Sequence, residues 1–246
     1  MAAASPTASQ STRPSPVTRA EFIERVRAFE HRLLNSMADV YSPVHLSLGH
    51  EGVAADLYEV LRPDDWLFST HRNHHHYFAK GGDEKLLWDE IAGEPTGLNG
   101  GFAGSQSISS DALNFHASAI VGGLVGVAAG AAQALKMDLS GAVAVCCIGD
   151  AGTEQGVFWE ALNFCALHSL PIAFIVENNG MSVDSPIDER QFMPIKERVE
   201  AFGVVAVDSV ALAVQGARLG IPSLYEARVT LECEHIYLAA LAPKIG

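Results

Sequence analysis

Two polar side chains follow two apolar runs of the sequence, and together they could bind a metal ion. Asp150 comes directly after Gly149, which ends the apolar run 143–148, and Asn179 follows the apolar run 172–176. A carboxylate and an amide oxygen are hard ligands that suit Mg²⁺ or Ca²⁺. The alternative is structural: Asp150 caps a helix, and Asn178-Asn179 forms a turn.

The small residues after Asp150 could bind an anion. Ala151, Gly152 and Thr153 stand where a helix is predicted to begin, and the N-terminus of a helix favours a negative charge. A metal ion held by Asp150 and Asn179 could bridge to a phosphate at this helix start. The pattern therefore predicts a combined metal and phosphate site.

The surrounding segments predict the strands that would position this site. The runs 143–148 and 172–176 are continuously apolar, as strands covered on both faces are. A helical pattern of about fifteen residues lies between them. Such a unit implies parallel strands with a right-handed crossover, and ligands bind at the carboxyl ends of parallel strands. We therefore expect an α/β fold with a mostly parallel sheet and helices on both faces.

The rest of the chain divides into a tail and one domain. Residues 1–18 are rich in Ala, Ser, Thr and Pro and predict a disordered tail, and 19–246 is interpreted as a single domain. Thr18 and Glu21 have the spacing of a capping box at the start of a helix. The Gly/Ala-rich segment 121–135 predicts a buried, closely packed helix. Further helices are predicted at 51–61, 85–92, 195–202 and 210–219, and strands at 204–207 and 224–231.

Composition excludes several classes of partner. The 246 residues carry a net charge of −13, which argues against a nucleic acid or an anionic membrane surface. The four cysteines form no CxxC motif, so buried thiols in a reducing compartment are expected. Segment 117–135 is about long enough to span a bilayer, but its Gly and Ala content favours a packed segment. A cytoplasmic location is expected, with the mitochondrial matrix as the alternative because the first 18 residues lack acids.

Histidines are concentrated in one short segment, His71-Arg72-Asn73-His74-His75-His76. Such a cluster could bind zinc, but the neighbouring sequence lacks the further Cys or His spacing of a structural zinc site. His75 and His76 are therefore interpreted as packing or surface residues.

Several motifs in order resemble the α subunits of 2-oxoacid dehydrogenase E1 components, including acetoin dehydrogenase α chains. Gly149-Asp150-Ala151 followed by Asn178-Asn179 resembles the GDG…NN motif that binds thiamine diphosphate. Upstream, Gly49-His50-Glu51 resembles G-Q-E, segment 69–75 resembles T-H-R-x-H-x-H, and segment 119–122 resembles G-I-V-G. The resemblance covers about residues 20–235 and implies the thiamine-diphosphate-binding fold.

The resemblance also implies roles for individual residues around thiamine diphosphate and Mg²⁺. The metal ligands would be Asp150, Asn179 and the backbone carbonyl of Met181. His74 would be catalytic, facing the reacting carbon and the substrate. Ala151, Gly152, Arg72 and His235 would bind the diphosphate, and backbone groups of Ala119 and Val121 would bind the aminopyrimidine. His71, which stands where many relatives have Tyr, is also expected to bind the cofactor.

The implied activity is decarboxylation of a 2-oxoacid and transfer of the resulting acyl or hydroxyalkyl group to an acceptor. The glutamate that activates the cofactor would lie on a β subunit with a pyrimidine-binding domain, so an α2β2 assembly is expected. The alternatives are the N-terminal subunit of a split transketolase, which moves two-carbon ketol units, and a degenerate, non-catalytic scaffold or regulatory chain.

Three departures from the family motivate the scaffold alternative, and a fourth departure is the length of the chain. Ala151 replaces the usual Gly, which is tolerable only where the backbone has a negative φ. Ser107 stands where many relatives have His, and segment 230–236 has lost a basic residue and a hydroxyl. The chain also ends well before the C-terminus of many relatives, so it is expected to be a shortened form.

Overall fold

The computed structural model describes residues 17–40 and 42–237. The predicted tail lies outside these ranges except for its last two residues, and the predicted domain lies within them up to Tyr237, apart from residue 41. No helix within the described residues is long and apolar enough to cross a membrane.

Eight α-helices and nine strands are found within the described ranges. The helices are α1 (Arg19–Asn35), α2 (Glu51–Val60), α3 (His74–Ala79), α4 (Glu84–Ile91), α5 (Val125–Met137), α6 (Gly156–Leu167), α7 (Ile195–Ala201) and α8 (Val210–Arg218). The strands are β1 (Trp66–Ser69), β2 (Ser109–Ser110), β3 (Phe115–Ala117), β4 (Ala144–Gly149), β5 (Ile172–Asn178), β6 (Met181–Ser182), β7 (Ser185–Pro186), β8 (Val205–Val207) and β9 (Ser223–Arg228).

The main sheet has the strand order β2-β3-β1-β4-β5-β9-β8, and β6 and β7 form a separate hairpin. All neighbouring strands of the main sheet are parallel except β2 and β3. In the central pair, Gly149 at the end of β4 lies opposite Glu177 of β5. The predicted mostly parallel α/β fold is confirmed, and the segments that follow β4 and β5 leave the sheet at the same edge.

Helices cover both faces of the sheet, as the sequence predicts. Alternate residues at β4 face opposite ways: Val145 and Cys147 pack into one core, and Cys146 and Ile148 pack into the other. The first core contains α1, α2 and α8, and the second contains α5, α6 and α7. This alternation explains why the strand is apolar at every position.

Local signals are confirmed at α1 and among the cysteines. Thr18 and Glu21 form the predicted capping box, in which each side chain bonds the other's backbone N–H. Cys146, Cys147 and Cys165 are buried free thiols, and Cys233 is a half-buried one.

Two helix predictions are corrected by the structure. The Gly/Ala-rich helix α5 begins at Val125 rather than 121, because Gly122 has a φ of +74°. Only one side of α5 is buried, and Val127 on its other side is 53% exposed. The helix after β4 begins at Gly156, because Asp150–Glu154 forms a 3₁₀ helix and Gln155 is extended.

Candidate functional site

A cavity of about 150 Å³ lies at the carboxyl edge of the sheet, beside the ends of β1, β4 and β5. Nine of the residues predicted from the sequence to bind cofactor or metal line it: His71, Arg72, Val121, Asp150, Ala151, Gly152, Asn179, Met181 and His235. Parallel strands expose their ends at one edge, so this convergence follows from the topology.

Asp150 is buried and already interacts with a cation of the same chain. Its Oδ2 accepts a hydrogen bond of 2.6 Å from Nη2 of Arg190, whose guanidinium also pairs with Glu154. Burial raises the pKa of the Asp150 carboxyl, and the hydrogen bond from Arg190 opposes this rise. The carboxylate predicted as a metal ligand therefore lies in a position that favours a positive charge.

The two asparagines after β5 have different environments. Asn178 is buried, its Nδ2 donates to Oε1 of Glu226 at 2.6 Å, and its Oδ1 accepts from the backbone N–H of Gly180. Asn179 lines the cavity, and its Oδ1 accepts from the backbone N–H of Met181 at 3.0 Å. Asn178 therefore shapes the turn, whereas Asn179 presents its amide at the cavity.

The 3₁₀ helix that follows β4 explains the two small residues of the motif. Ala151 has a negative φ, so the backbone at this position tolerates a methyl group in place of the usual glycine. A Cβ added at Gly152 would lie 2.4 Å from Cγ1 of Ile148, which only a glycine avoids. The anion-binding groups predicted at a helix N-terminus thus belong to the short 3₁₀ helix, and α6 begins beyond them.

Arg72 places a buried positive charge at the cavity. Its guanidinium donates to the backbone carbonyl of His235 at 3.1 Å and to that of Leu46. Burial lowers the pKa of Arg72, but an arginine stays protonated near neutral pH. A planar guanidinium in this position suits a phosphate group.

His45 joins two of the predicted histidines at one side of the cavity. The ring centroid of His45 lies 4.4 Å from that of His71 and 5.4 Å from that of His235. Burial, with a contribution from nearby charges, lowers the pKa of His45 to about 2 and that of His71 to about 4. Burial, followed by the charge of Arg72, also lowers the pKa of His235. His71 is therefore neutral at pH 7 and can either donate or accept a hydrogen bond.

The structure places two predicted site residues away from the cavity. His74 is fully buried at the start of α3, with Nδ1 3.1 Å from Oε1 of Glu30 and Nε2 2.9 Å from Oγ of Ser105. Ala119 is exposed, and its N–H donates to Oγ of Ser107 at 3.2 Å. Neither His74 nor Ala119 is among the described residues that line the cavity. Their roles toward the substrate and the aminopyrimidine stay predictions.

Sequence reasoning missed a buried cluster around Glu177. Its Oε1 lies 2.9 Å from Nε2 of His75 and 3.3 Å from Nδ1 of His50, and its Oε2 lies 3.5 Å from Nε2 of His76. Burial raises the pKa of Glu177, but the three imidazoles outweigh it and hold that pKa well below its usual range. His75 and His76 are fully buried, so the surface alternative for them is wrong. No spacing signal could reveal this cluster, because its members come from three distant segments.

Comparison with known proteins identifies the class of protein. Residues 19–213 match the family described as dehydrogenase E1 component, and the chain belongs to this family. The resemblance drawn from the motifs is therefore confirmed. Membership of the family implies thiamine diphosphate as the cofactor.

Among individual relatives, the chain is similar to α subunits of two kinds of enzyme. The α subunit of acetoin:2,6-dichlorophenolindophenol oxidoreductase from Bacillus subtilis is 39% identical over 166 residues, which are 66% of this chain and 50% of the relative. Two α subunits of pyruvate dehydrogenase E1 components are also similar. The one from Zymomonas mobilis is 34% identical over 80% of this chain and 59% of its own length, and the one from Porphyra purpurea is 36% identical over 75% and 60%. The match thus spans about half to three fifths of these relatives.

Proposed function

We propose that this chain is the α subunit of a heteromeric, thiamine-diphosphate-dependent enzyme. The enzyme decarboxylates a 2-oxoacid and transfers the resulting acyl or hydroxyalkyl group to an acceptor. The observation that carries the proposal is the convergence of Asp150, Asn179 and Arg72 on one cavity, in a chain that belongs to the E1 family.

The residues at the cavity fit a diphosphate bound through Mg²⁺. Asp150, Asn179 and the backbone carbonyl of Met181 would supply the oxygen ligands that Mg²⁺ prefers. The guanidinium of Arg190 already stands beside the Asp150 carboxylate, which supports a cation at this position. Arg72 supplies a buried positive charge for the diphosphate oxygens.

When bound, thiamine diphosphate supplies the carbon nucleophile that adds to the keto carbon of the 2-oxoacid. The residues of this chain would bind and orient it. His71, His235 and the backbone N–H groups of Ala151 and Gly152 would hold the diphosphate with Arg72. Neutral imidazoles are suited to this because they can donate one hydrogen bond to a phosphate oxygen.

A β subunit would complete the active site, in an α2β2 assembly. Apolar side chains are exposed beside the cavity and on the adjacent α5: Ile120 is 72% exposed, Val121 47% and Val127 53%. Contiguous exposed apolar side chains of this kind mark protein interfaces. The Gly/Ala composition of α5 would let a partner approach its backbone closely.

The test is co-expression of the chain with a candidate β subunit, followed by calorimetric titration of thiamine diphosphate in the presence of Mg²⁺. We expect binding by the wild-type pair and by a control pair carrying Asp188→Asn, because Asp188 is exposed and outside the cavity. Asp150→Asn is expected to abolish binding. Binding that is absent from the wild-type pair, or unchanged in Asp150→Asn, would favour the scaffold alternative.

A substrate panel separates the two enzymatic alternatives. Pyruvate and branched 2-oxoacids are compared with a ketose phosphate donor, using the assembled pair. Release of CO₂ from a 2-oxoacid is the expected outcome. Turnover of the ketose phosphate alone would assign the chain to the split transketolase class instead.

A further inference from the structure

Three side chains from separate segments meet in the wall of the cavity. His50 precedes α2, His75 lies in the first turn of α3, and Glu177 lies near the end of β5. All three are buried, with at most 5% of each residue exposed. His50 and Glu177 line the cavity, and His75 lies behind them.

These groups leave buried nitrogens without partners. Within the described part of the chain, Nε2 of His50 and Nδ1 of His75 make no hydrogen bond. The Nδ1 atom of His50 pairs with Oε1 of Glu177 at 3.3 Å. Buried polar atoms are satisfied in most proteins, so such a group of exceptions indicates a bound species that completes it.

We propose that His50, His75 and Glu177 bind a divalent transition-metal ion, for which Zn²⁺ is the best-suited ion. Their ligand atoms all lie within 4.8 Å of one another. Two imidazoles and one carboxylate form a set of nitrogen and oxygen ligands typical of zinc, whereas Mg²⁺ prefers oxygen ligands alone. This site is therefore chemically different from the Mg²⁺ site proposed at Asp150 and Asn179.

The placement gives the bound ion access to the cavity. Three protein ligands leave one position of a four-coordinate zinc ion open to water or another ligand. Because His50 and Glu177 line the cavity, an oxygen of a molecule in the cavity could reach this position.

A second group of histidines provides the competing location. His45, His71 and His235 also place their ring nitrogens within 4.8 Å of one another. However, Nδ1 of His45 already lies 2.9 Å from Nε2 of Gln106, and His71 and His235 are only partly buried. The unpartnered nitrogens of His50 and His75 therefore favour the group around Glu177.

The experiment uses the full chain, stripped of metal with a chelator and titrated with Co²⁺ as a spectroscopic probe for Zn²⁺. We expect one ion per chain, with the intense visible absorption of four-coordinate Co²⁺, and displacement of that ion by Zn²⁺. His50→Gln and His75→Asn are each expected to weaken binding about 100-fold or more, because even changes behind a ligand cost about 10–100-fold. His45→Gln and the exposed-site control Asp188→Asn are expected to bind Co²⁺ as the wild type does.

His50→Gln is the more informative variant because it restores the G-Q-E motif of relatives, so the fold is expected to persist. Near-ultraviolet circular dichroism and the melting temperature of each metal-free variant verify that it does. The proposal is overturned if the wild-type chain binds no Co²⁺, or if His50→Gln binds it unchanged. Loss of binding in His45→Gln rather than His50→Gln would also overturn it, by moving the site to the second group.

Discussion

Replacing Arg190 with methionine is predicted to tighten Mg²⁺ binding. The guanidinium of Arg190 occupies one oxygen of the Asp150 carboxylate through a bond of 2.6 Å, so Mg²⁺ must displace it. A hydrogen bond between charged groups is worth about 1.5–3 kcal/mol, and 1.4 kcal/mol corresponds to a tenfold change in affinity. Arg190→Met is therefore expected to lower the dissociation constant of Mg²⁺ by about 10- to 100-fold.

The same substitution is expected to destabilise the metal-free chain. It leaves a buried carboxylate without its arginine, at a cost of about 1–3 kcal/mol in the free energy of unfolding. Since ligands stabilise only the folded state they bind, added Mg²⁺ should restore more stability to the variant than to the wild type. Loss of stability without metal and gain of affinity for metal are thus expected together.

The assay is a calorimetric titration of Mg²⁺ at saturating thiamine diphosphate with the β subunit present, combined with thermal unfolding of the metal-free chain. Arg218→Met is the matched control, because Arg218 forms a pair of the same 2.6 Å length with buried Asp65, far along the chain from this site. The control should lose stability without a change in Mg²⁺ affinity. An unchanged or weaker affinity for Mg²⁺ in Arg190→Met would refute the competition between arginine and metal.

Three further outcomes follow from the structure. Gly152→Ala should destabilise the chain by about 1–3 kcal/mol in chemical denaturation, because the added methyl meets Ile148; an unchanged midpoint would contradict this. Burial lowers the pKa of His76 to about 3 in the folded chain. Below pH 6.5, His76 is therefore protonated in the unfolded chain but stays neutral in the folded chain. The free energy of unfolding should then decrease as the pH is lowered, by up to about 1.4 kcal/mol per pH unit. Melting followed from pH 7 to pH 4 should show a smaller slope in His76→Gln. Val127→Asp should prevent co-purification with the β subunit, whereas Leu219→Asp, at an even more exposed position on the other side of the sheet, should not; equal retention would exclude α5 from the interface.

The central strands and the edge that carries the site could be predicted from the sequence. Continuous apolar runs identify strands covered on both faces, and one crossover makes them parallel. Asp150 and Asn179 must then leave the sheet at one edge, whatever the remaining helices do. The prediction of this part of the fold depends on local sequence patterns alone, which explains why the structure confirms it.

Other features depend on packing between distant segments. Arg190 reaches Asp150 across 40 residues, and His75 reaches Glu177 across 102 residues, so no motif spacing relates them. The 3₁₀ helix at 150–154 ends where Gln155 becomes extended, a detail that residue propensities do not determine. His74 matches the family motif, yet its ring nitrogens contact Glu30 and Ser105, and it is not among the described residues that line the cavity.

The proposed function requires that the ends of β4 and β5 together hold the metal that anchors the diphosphate. Its most direct test is the anomalous scattering of Mn²⁺, used in place of Mg²⁺, in crystals of the α chain with its β subunit and thiamine diphosphate. We expect an anomalous peak within coordination distance of Oδ atoms of both Asp150 and Asn179. A structure with the diphosphate bound elsewhere, or with no peak between these two side chains, would contradict it.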